Sequence, residues 1–376
     1  MKIKKNIGNV VALTSLLFSL ASSAETGVSD NSILVGQSVP LSGPSQELGS
    51  EMKMGIQAYF DQINAQGGVN GRRLELKTLD DGYEPDRAAS NTRQLVEKDN
   101  VFALLGYVGT ATSVAALQVS NPAKVPFVGA FTGSDALRSP TGRYVFNIRA
   151  SYAEEAEKIV EQFTALNVSR IAVVYQNDGF GKAVLNGVEK AMAKRNLKLL
   201  GTSTVERNSL NVGPSVKALA PLKPDMVIMA LPYKAAAALI NATRAEGMAP
   251  QFYTVSFVGP MALSRELGSN GAGVGVTQVS PFPWSINAPV VRDYQKAIGK
   301  AEPSYVSLEG YISAKVFVEG IKRAGRDLTR EKLVSAFEGM RNYDAGGYPV
   351  SFSPTDHNGS NFVELTVLRR DGKLMR

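Results

Sequence analysis

Cysteine is absent from the 376 residues, and histidine and tryptophan occur once each, as His357 and Trp284. Without thiols there is no disulfide, no thiol nucleophile and no cysteine-held metal, so stability has to come from buried apolar surface. A single imidazole leaves zinc coordination and histidine acid–base chemistry short of parts, and no metal or cofactor is expected. No GxxxxGK[ST] segment occurs, which excludes a P-loop nucleotidase. Lysine and arginine form no run beyond the N-terminal segment, so the basic face of a nucleic-acid binder is missing.

What is present starts with Lys2, Lys4 and Lys5, then the apolar run Val10–Leu20 and the small residues Ala21–Ala24. That layout is a secretory signal peptide, residues 1–24, cleaved after about Ala24. Its apolar run falls short of the ~20 residues a spanning helix needs. With no cysteine at the cleavage point a lipid anchor is not expected, and the mature chain is expected to be soluble and periplasmic. About 350 residues remain, enough for two domains with their own cores. Hydrophobic residues make up 44% and charged residues 20%, the balance of a globular chain rather than a disordered one. The formal charge of +7 falls to +4 once the three signal lysines are set aside, and it is spread along the chain.

Short apolar runs alternate with longer amphipathic stretches. Ile33–Leu41, Arg73–Asp81, "VFALLG" (Val101–Gly106) and "VPFVGA" (Val125–Ala130) read as strands, with helices at Glu47–Ile63 and Pro85–Glu97. The pattern restarts at Tyr144–Ile148, with strands at Arg170–Gln176, Asp225–Leu231 and Gln251–Phe257 and helices at Tyr152–Leu166, Phe180–Arg195 and Lys234–Glu246. Alternation of this kind builds βαβ units and parallel sheets. Two such sets predict an α/β protein of two doubly wound, Rossmann-like parallel-sheet lobes, with the chain crossing between them near Asn147–Ala150. Gly273–Trp284 and Tyr343–Ser353, with proline and glycine between periodic stretches, are candidates for further crossings.

Ligands of open α/β sheets sit beyond the carboxyl ends of the strands. Two facing lobes would set both groups of strand ends around one cleft. In the first half those ends carry Thr110, Thr112, Ser113, Thr132 and Ser134 among glycines; in the second they carry Phe180, Tyr233 and Phe257. "LLGYVGTATS" (Leu104–Ser113) ends a strand in glycines and hydroxyls where a helix can begin, a turn whose free N–H groups suit an anion.

The succession "PLSGP", "INAQGGVNGRRLEL", "DDGYEP", "LVEKDNVFALLG", "VPFVGAFTGSDALR", "RIAVVYQNDGFG" and "LEGYISAKVFVEGIKRAG" closely resembles the leucine/isoleucine/valine-binding proteins, type I periplasmic substrate-binding proteins of ABC importers. The likeness covers nearly the whole mature chain. It implies two lobes joined by three crossings, here 28–148 with 281–345 and 149–280 with 346–376, closing on a small solute for a membrane permease. It also implies a solute carboxylate or similar polar head at Thr110 and at the turn Phe131-Thr132-Gly133-Ser134, with Phe180 and Tyr233 as apolar walls. Tyr107, Phe131, Phe180, Tyr233 and Phe257 together would suit a flat ring against one polar head.

Two positions depart from the family. Ser256 stands where branched-chain amino-acid binders carry an acid for the ligand's ammonium, and Glu47 is a weak substitute for that charge. An unpaired ammonium in a closed cleft costs several kcal/mol, which turns the expectation towards amino-acid-like solutes, aromatic acids or amides. At Tyr83 and Gly109, where some relatives have a disulfide, none can form. "GFGKAV" (Gly179–Val184) lacks the final small residue of a dinucleotide fingerprint. "SPTDHNGS" around His357 reads as turn chemistry, and Asp80 and Asp81 are expected to be solvated or capping. The expectation is a monomeric, non-catalytic solute-binding subunit of an ABC importer; a receptor feeding a membrane kinase or chemoreceptor would use the same cleft.

Overall fold

The computed structural model describes residues 25–376; the expected signal peptide lies outside the described residues. The first sheet is wholly parallel. Its strands β1 (Ser32–Val39), β2 (Arg73–Asp80), β3 (Ala103–Leu105), β4 (Phe127–Val128) and β5 (Val145–Phe146) lie in the order β2-β1-β3-β4-β5. Helices α1 (Gln46–Ala65), α2 (Pro85–Arg93) and α3 (Thr110–Ser120) connect them. Strands β6 (Ile171–Gln176), β7 (Gly201–Val205), β8 (Met226–Ala230), β9 (Gln251–Thr254) and β10 (Gly275–Gln278) form the parallel part of a second sheet, ordered β7-β6-β8-β9-β10. Its helices are α4 (Tyr152–Ala165), α5 (Gly179–Ala193), α6 (Gly213–Leu219), α7 (Tyr233–Ala245) and α8 (Pro260–Leu267).

Both sheets thus wind the same way and reverse direction at the same place, between the first and third strand of each. Loops leaving β1, β3, β6 and β8 flank these switch points, where such sheets receive ligands. Helices α9 (Pro289–Ile298), α10 (Tyr305–Ala324) and α11 (Arg330–Glu338) follow β10, and α9 and α10 pack on α1 of the first lobe. A small ribbon, β11 (Tyr343–Asp344) with β12 (Pro349–Val350), then leads to β13 (Glu364–Leu368) and β14 (Leu374–Met375). These last two join the second sheet antiparallel, an addition that periodicity did not predict. An antiparallel edge on an otherwise parallel sheet is a common solution.

Other differences are local. The helix expected to run to Glu97 widens after Arg93 into a π-helical turn, Gln94–Lys98. The strand expected to reach Phe257 stops at Thr254, and Ser256–Val258 form a 3-10 turn because Gly259 takes φ 75° and Pro260 opens α8. Helix starts are capped as their sequences allow: Ser151 and Glu154 form a capping box on α4, and Asp178 caps α5 through the N–H groups of Phe180 and Gly181.

The chain passes between the sheets through segments around Ile148, Val279 and Tyr348–Asn358. The Tyr348 hydroxyl donates to the Ile148 carbonyl (3.3 Å) and the Val279 carbonyl (3.0 Å), tying all three together. His357 serves the same region. Its ring stacks on Phe146 at 4.0 Å, and Nδ1 lies 2.9 Å from the Val145 carbonyl oxygen. Beyond the turn chemistry expected around it, the imidazole is a buried packing group.

Helices α1 and α10 touch backbone to backbone. A Cβ at Gly55 would overlap the Ser307 carbonyl, and one at Gly310 would overlap that of Met52. Gly55→Ala should therefore destabilise the protein by roughly 1–3 kcal/mol through overpacking, read as an earlier urea midpoint with an unchanged m-value.

Candidate ligand-binding cleft

At the end of β3 the chain turns through Gly106 and Gly109, both at positive φ, so that α3 begins at Thr110. No side chain caps this helix, which leaves its first amides for another acceptor. The Thr110 and Thr132 hydroxyls lie 2.7 Å apart, and Thr132 Oγ1 accepts from Ser134 N–H (3.3 Å). Ser113, one helical turn beyond Thr110 on the same face, is buried with no partner for its hydroxyl. Thr112 instead returns its hydroxyl to the Val108 and Gly109 carbonyls, a local role.

Across from this turn lies the start of α5. A Cβ at Gly179 would sit 3.3 Å from the Thr110 methyl, so the two helix starts face one another. The Asp178 cap aims Phe180 into a group of rings drawn from both lobes. Phe257 is its centre, 4.5 Å from Phe180, 5.2 Å from Phe131 and 6.0 Å from Tyr83; Tyr152 adds a contact to Phe180 at 5.3 Å. All five rings are buried, so the lobes stand closed.

Among the sequence-predicted residues, Thr110, Phe131, Thr132, Ser134, Phe180 and Phe257 converge here. Gly133 supports them from behind, its carbonyl accepting from Tyr152 N–H (2.8 Å). Ser256 belongs to a charged group described below. Tyr107 does not converge: its hydroxyl bonds to Thr92 (3.0 Å) and its ring packs on Phe127 (4.9 Å). The positive φ of Gly106 turns it towards α2 and α3, away from the rings around Phe257. Tyr233 is buried at the start of α7 and has no ring contact with that group. Burial raises its hydroxyl to about 12, and Glu47 lies nearby.

Five residues of the cleft escaped the sequence reading as ligand-side groups: Tyr83, Arg149, Tyr152, Glu155 and Glu309. Tyr83 packs its ring on Gly109, where a Cβ would collide with it, so the "DDGYEP" loop is tightly packed. Asp81 holds that loop from within: it is fully buried rather than solvated, accepting from Ser38 Oγ and Tyr83 N–H (both 2.8 Å). Burial pushes its carboxyl up to about 6. Asp80 is held down to about 2, because hydrogen bonds from Ser42, Leu41, Gly82 and Arg87 outweigh its desolvation.

Arg149, on the first crossing, is 1% exposed. Nη2 donates to Glu155 Oε1 (2.8 Å) and to Ser256 Oγ, and Nη1 donates to Glu309 Oε1 (3.3 Å). Its guanidinium carbon lies 5.1 Å from the Phe131 ring centre and 5.6 Å from that of Tyr152. Burial alone would lower its pKa, but the Glu309 and Glu155 charges outweigh it and keep the group cationic. Burial raises Glu309 to about 7 against the pull of Arg149. A buried arginine whose partners are 6 and 160 residues away leaves no local signal in the sequence.

Polar contacts close both rims. On one, Arg265 of α8 pairs with Glu47 and Glu51 (3.5 Å) of α1 and with Glu302 (3.3 Å). Glu47 is thereby committed away from the rings. On the other, Asn208 Nδ2 donates to the Gly82 carbonyl (3.1 Å) and Glu84 Oε1 (2.7 Å), and Gln176 Nε2 donates to the Tyr83 hydroxyl (3.3 Å). A separate surface cavity of about 670 Å³ is lined by Asp135, Arg138, Ser151, Glu154, Asp356 and Asn358 among others. It contains none of the five rings, and three carboxylates and one guanidinium mark its lining.

Comparison with known proteins matches this architecture. Residues 32–373 fit the family model described as Periplasmic binding protein. A Leu/Ile/Val-binding protein homolog 7 of Brucella abortus is 25% identical over 363 residues, covering 91% of this chain and 90% of that protein. The crystal structure of a possible leucine/isoleucine/valine-binding protein from Rhodopirellula baltica superposes with TM-score 0.88 at 35% identity, covering 92% and 96% of the two chains. A substrate-binding periplasmic protein from Ralstonia solanacearum gives TM-score 0.86 at 33% identity, covering 91% and 99%. The chain belongs to the leucine/isoleucine/valine-binding family of type I periplasmic binding proteins.

Proposed function

We propose that this protein is the periplasmic solute-binding subunit of an ABC importer, capturing a small organic solute by closure of its two lobes. The observation that carries the reading is the uncapped start of α3, with the buried Thr110–Thr132 hydroxyl pair, facing rings contributed by both lobes. Helix-start amides and hydroxyls stabilise a carboxylate or similar polar head without a mobile cation. Rings around Phe257 then cover the apolar remainder, and a flat or branched body suits them. Amino-acid-like solutes, aromatic acids and amides all present such a head.

Closure supplies both affinity and signal. With lobes taken as 28–148 plus 281–345 and 149–280 plus 346–376, the solute binds the first lobe's turn and the second lobe adds Phe180 and Phe257. A permease that reads only the closed pair would respond to loaded protein. Binding rather than catalysis is the reading that the family and the amides, hydroxyls and rings at the Thr110 turn support.

Thermal-shift screening of refolded protein against amino acids, aromatic acids and amides should identify a solute that raises Tm. Thr110→Ala and Phe180→Ala should each then weaken its binding by about 1–3 kcal/mol in calorimetry. Unchanged affinity in both variants would dismiss the site. Arg265→Ala acts at a distance: it should enlarge the radius of gyration in solution scattering and weaken the same solute by up to about 1 kcal/mol, in line with an exposed ion pair. Scattering and affinity identical to wild type would show that the Arg265 rim has no part in closure.

A further inference from the structure

The group around Arg149 sorts donors from acceptors. Glu155 accepts at Oε1 from Arg149 (2.8 Å) and Ser256 Oγ (3.0 Å), and at Oε2 from Ser256 N–H (2.8 Å) and the Thr277 hydroxyl. A carboxylate has about four lone-pair directions, so all of its accepting capacity is spent inside the protein. Ser256 spends its one proton on Glu155 and receives the Arg149 guanidinium on its oxygen. Glu309 is committed to Arg149 as well. The buried acids near the rings are therefore both paired with the protein's own arginine, and Glu155, the one against Ser256, has no accepting capacity left for an incoming ammonium.

Donors are in the opposite state. Arg149 Nε and the Tyr152 hydroxyl are buried without a partner, and so is the Ser113 hydroxyl. Tyr152 Oη comes near the Thr132 hydroxyl without closing a hydrogen bond to it. The Arg149 and Tyr152 groups are stacked neighbours, and both border the Phe131–Phe257–Phe180 rings. A buried donor left unmatched is unfavourable, and a solute that supplies an acceptor relieves it.

We infer that the cleft selects carboxylic acids that carry a hydrogen-bond acceptor, and no ammonium, beside the carboxylate, and that Arg149 is the residue that sets this selectivity. The inference rests on the proposed carboxylate site at Thr110 and names its substrate class. An α-amino acid brings three donors and a positive charge to a place already occupied by a guanidinium and its donors. A 2-oxo acid of the same skeleton brings an oxygen acceptor there instead.

Matched probes test it: phenylpyruvate, 3-phenylpropionate and L-phenylalanine, and likewise 4-methyl-2-oxopentanoate, 4-methylpentanoate and L-leucine, each titrated calorimetrically into refolded full-length mature protein. The expected order in at least one series is oxo acid, then unsubstituted acid, then amino acid, with at least tenfold between first and last. Ser256→Asp places a carboxylate against Arg149 and should shrink that ratio by tenfold or more. Arg149→Lys, which keeps charge but loses the Nε donor, should bring the oxo acid down to the level of the unsubstituted acid. A merely structural Arg149 would lower all three affinities together and leave their ratios alone. Amino acids binding as tightly as the oxo acids overturn the inference while Thr110→Ala still tests the carboxylate site. Failure of every acid in both series to bind overturns the inference and the carboxylate site together.

Discussion

A guanidinium removed from water must have its charge and its donors compensated inside the protein, and Arg149 has a carboxylate towards each lobe. Glu309 comes from α10, packed on the first sheet's α1, and Glu155 comes from α4 at the start of the second lobe. Removing either acid would leave the buried guanidinium with one carboxylate instead of two, and breaking a buried pair costs on the order of 3–5 kcal/mol in proteins. This constraint sits on the first crossing between the two lobes. The floor of the cleft, the path of the first crossing and the orientation of Ser256 are thus fixed by one set of hydrogen bonds.

From that floor the rest of the cleft is built by short-range chemistry. Gly106 and Gly109 supply positive φ so that α3 can start with its amides towards the opposite lobe. Asp178 caps α5 and sets the direction of Phe180. Gly259, also at positive φ, ends the segment that carries Phe257 and packs close on Leu48 of the first lobe. Each device is local, yet all of them deliver groups to one interlobe volume because both sheets reverse at the same strand position. Rim contacts such as Arg265 with Glu47 and Glu51 add only modest energy individually, as exposed pairs do. Each of them bridges the two lobes.

Where the sequence reading succeeded, the reason was periodicity joined to chain-end chemistry. Strand–helix alternation located β1, β2, β6, β8 and the helices between them to within a few residues, because buried parallel strands are continuous apolar runs. The convergence of Thr110, Phe131, Thr132, Phe180 and Phe257 was legible because they follow strands in glycine-rich turns. Tyr107 sits in the same turn and was misplaced, since one positive-φ glycine reversed the side it faces. Half-exposed β7 and the antiparallel pair β13–β14 carry weaker apolar signals and were not anticipated.

The amino-acid sequence by itself determined the α/β class and the doubled winding, which rest on patterns within a few dozen residues, and the family, which rests on motifs in fixed order along nearly the whole mature chain. It also excluded thiol chemistry by composition and left zinc coordination short of ligands. Only the tertiary structure decided which polar groups are spent on one another. Arg149 meets Glu309 and Ser256 across 160 and 107 positions of chain, and Tyr83 meets Gln176 across 93. Whether a buried acid is available to a solute or already satisfied depends on such long-range pairings, because hydrogen-bond capacity is finite and local sequence does not reveal where it is used.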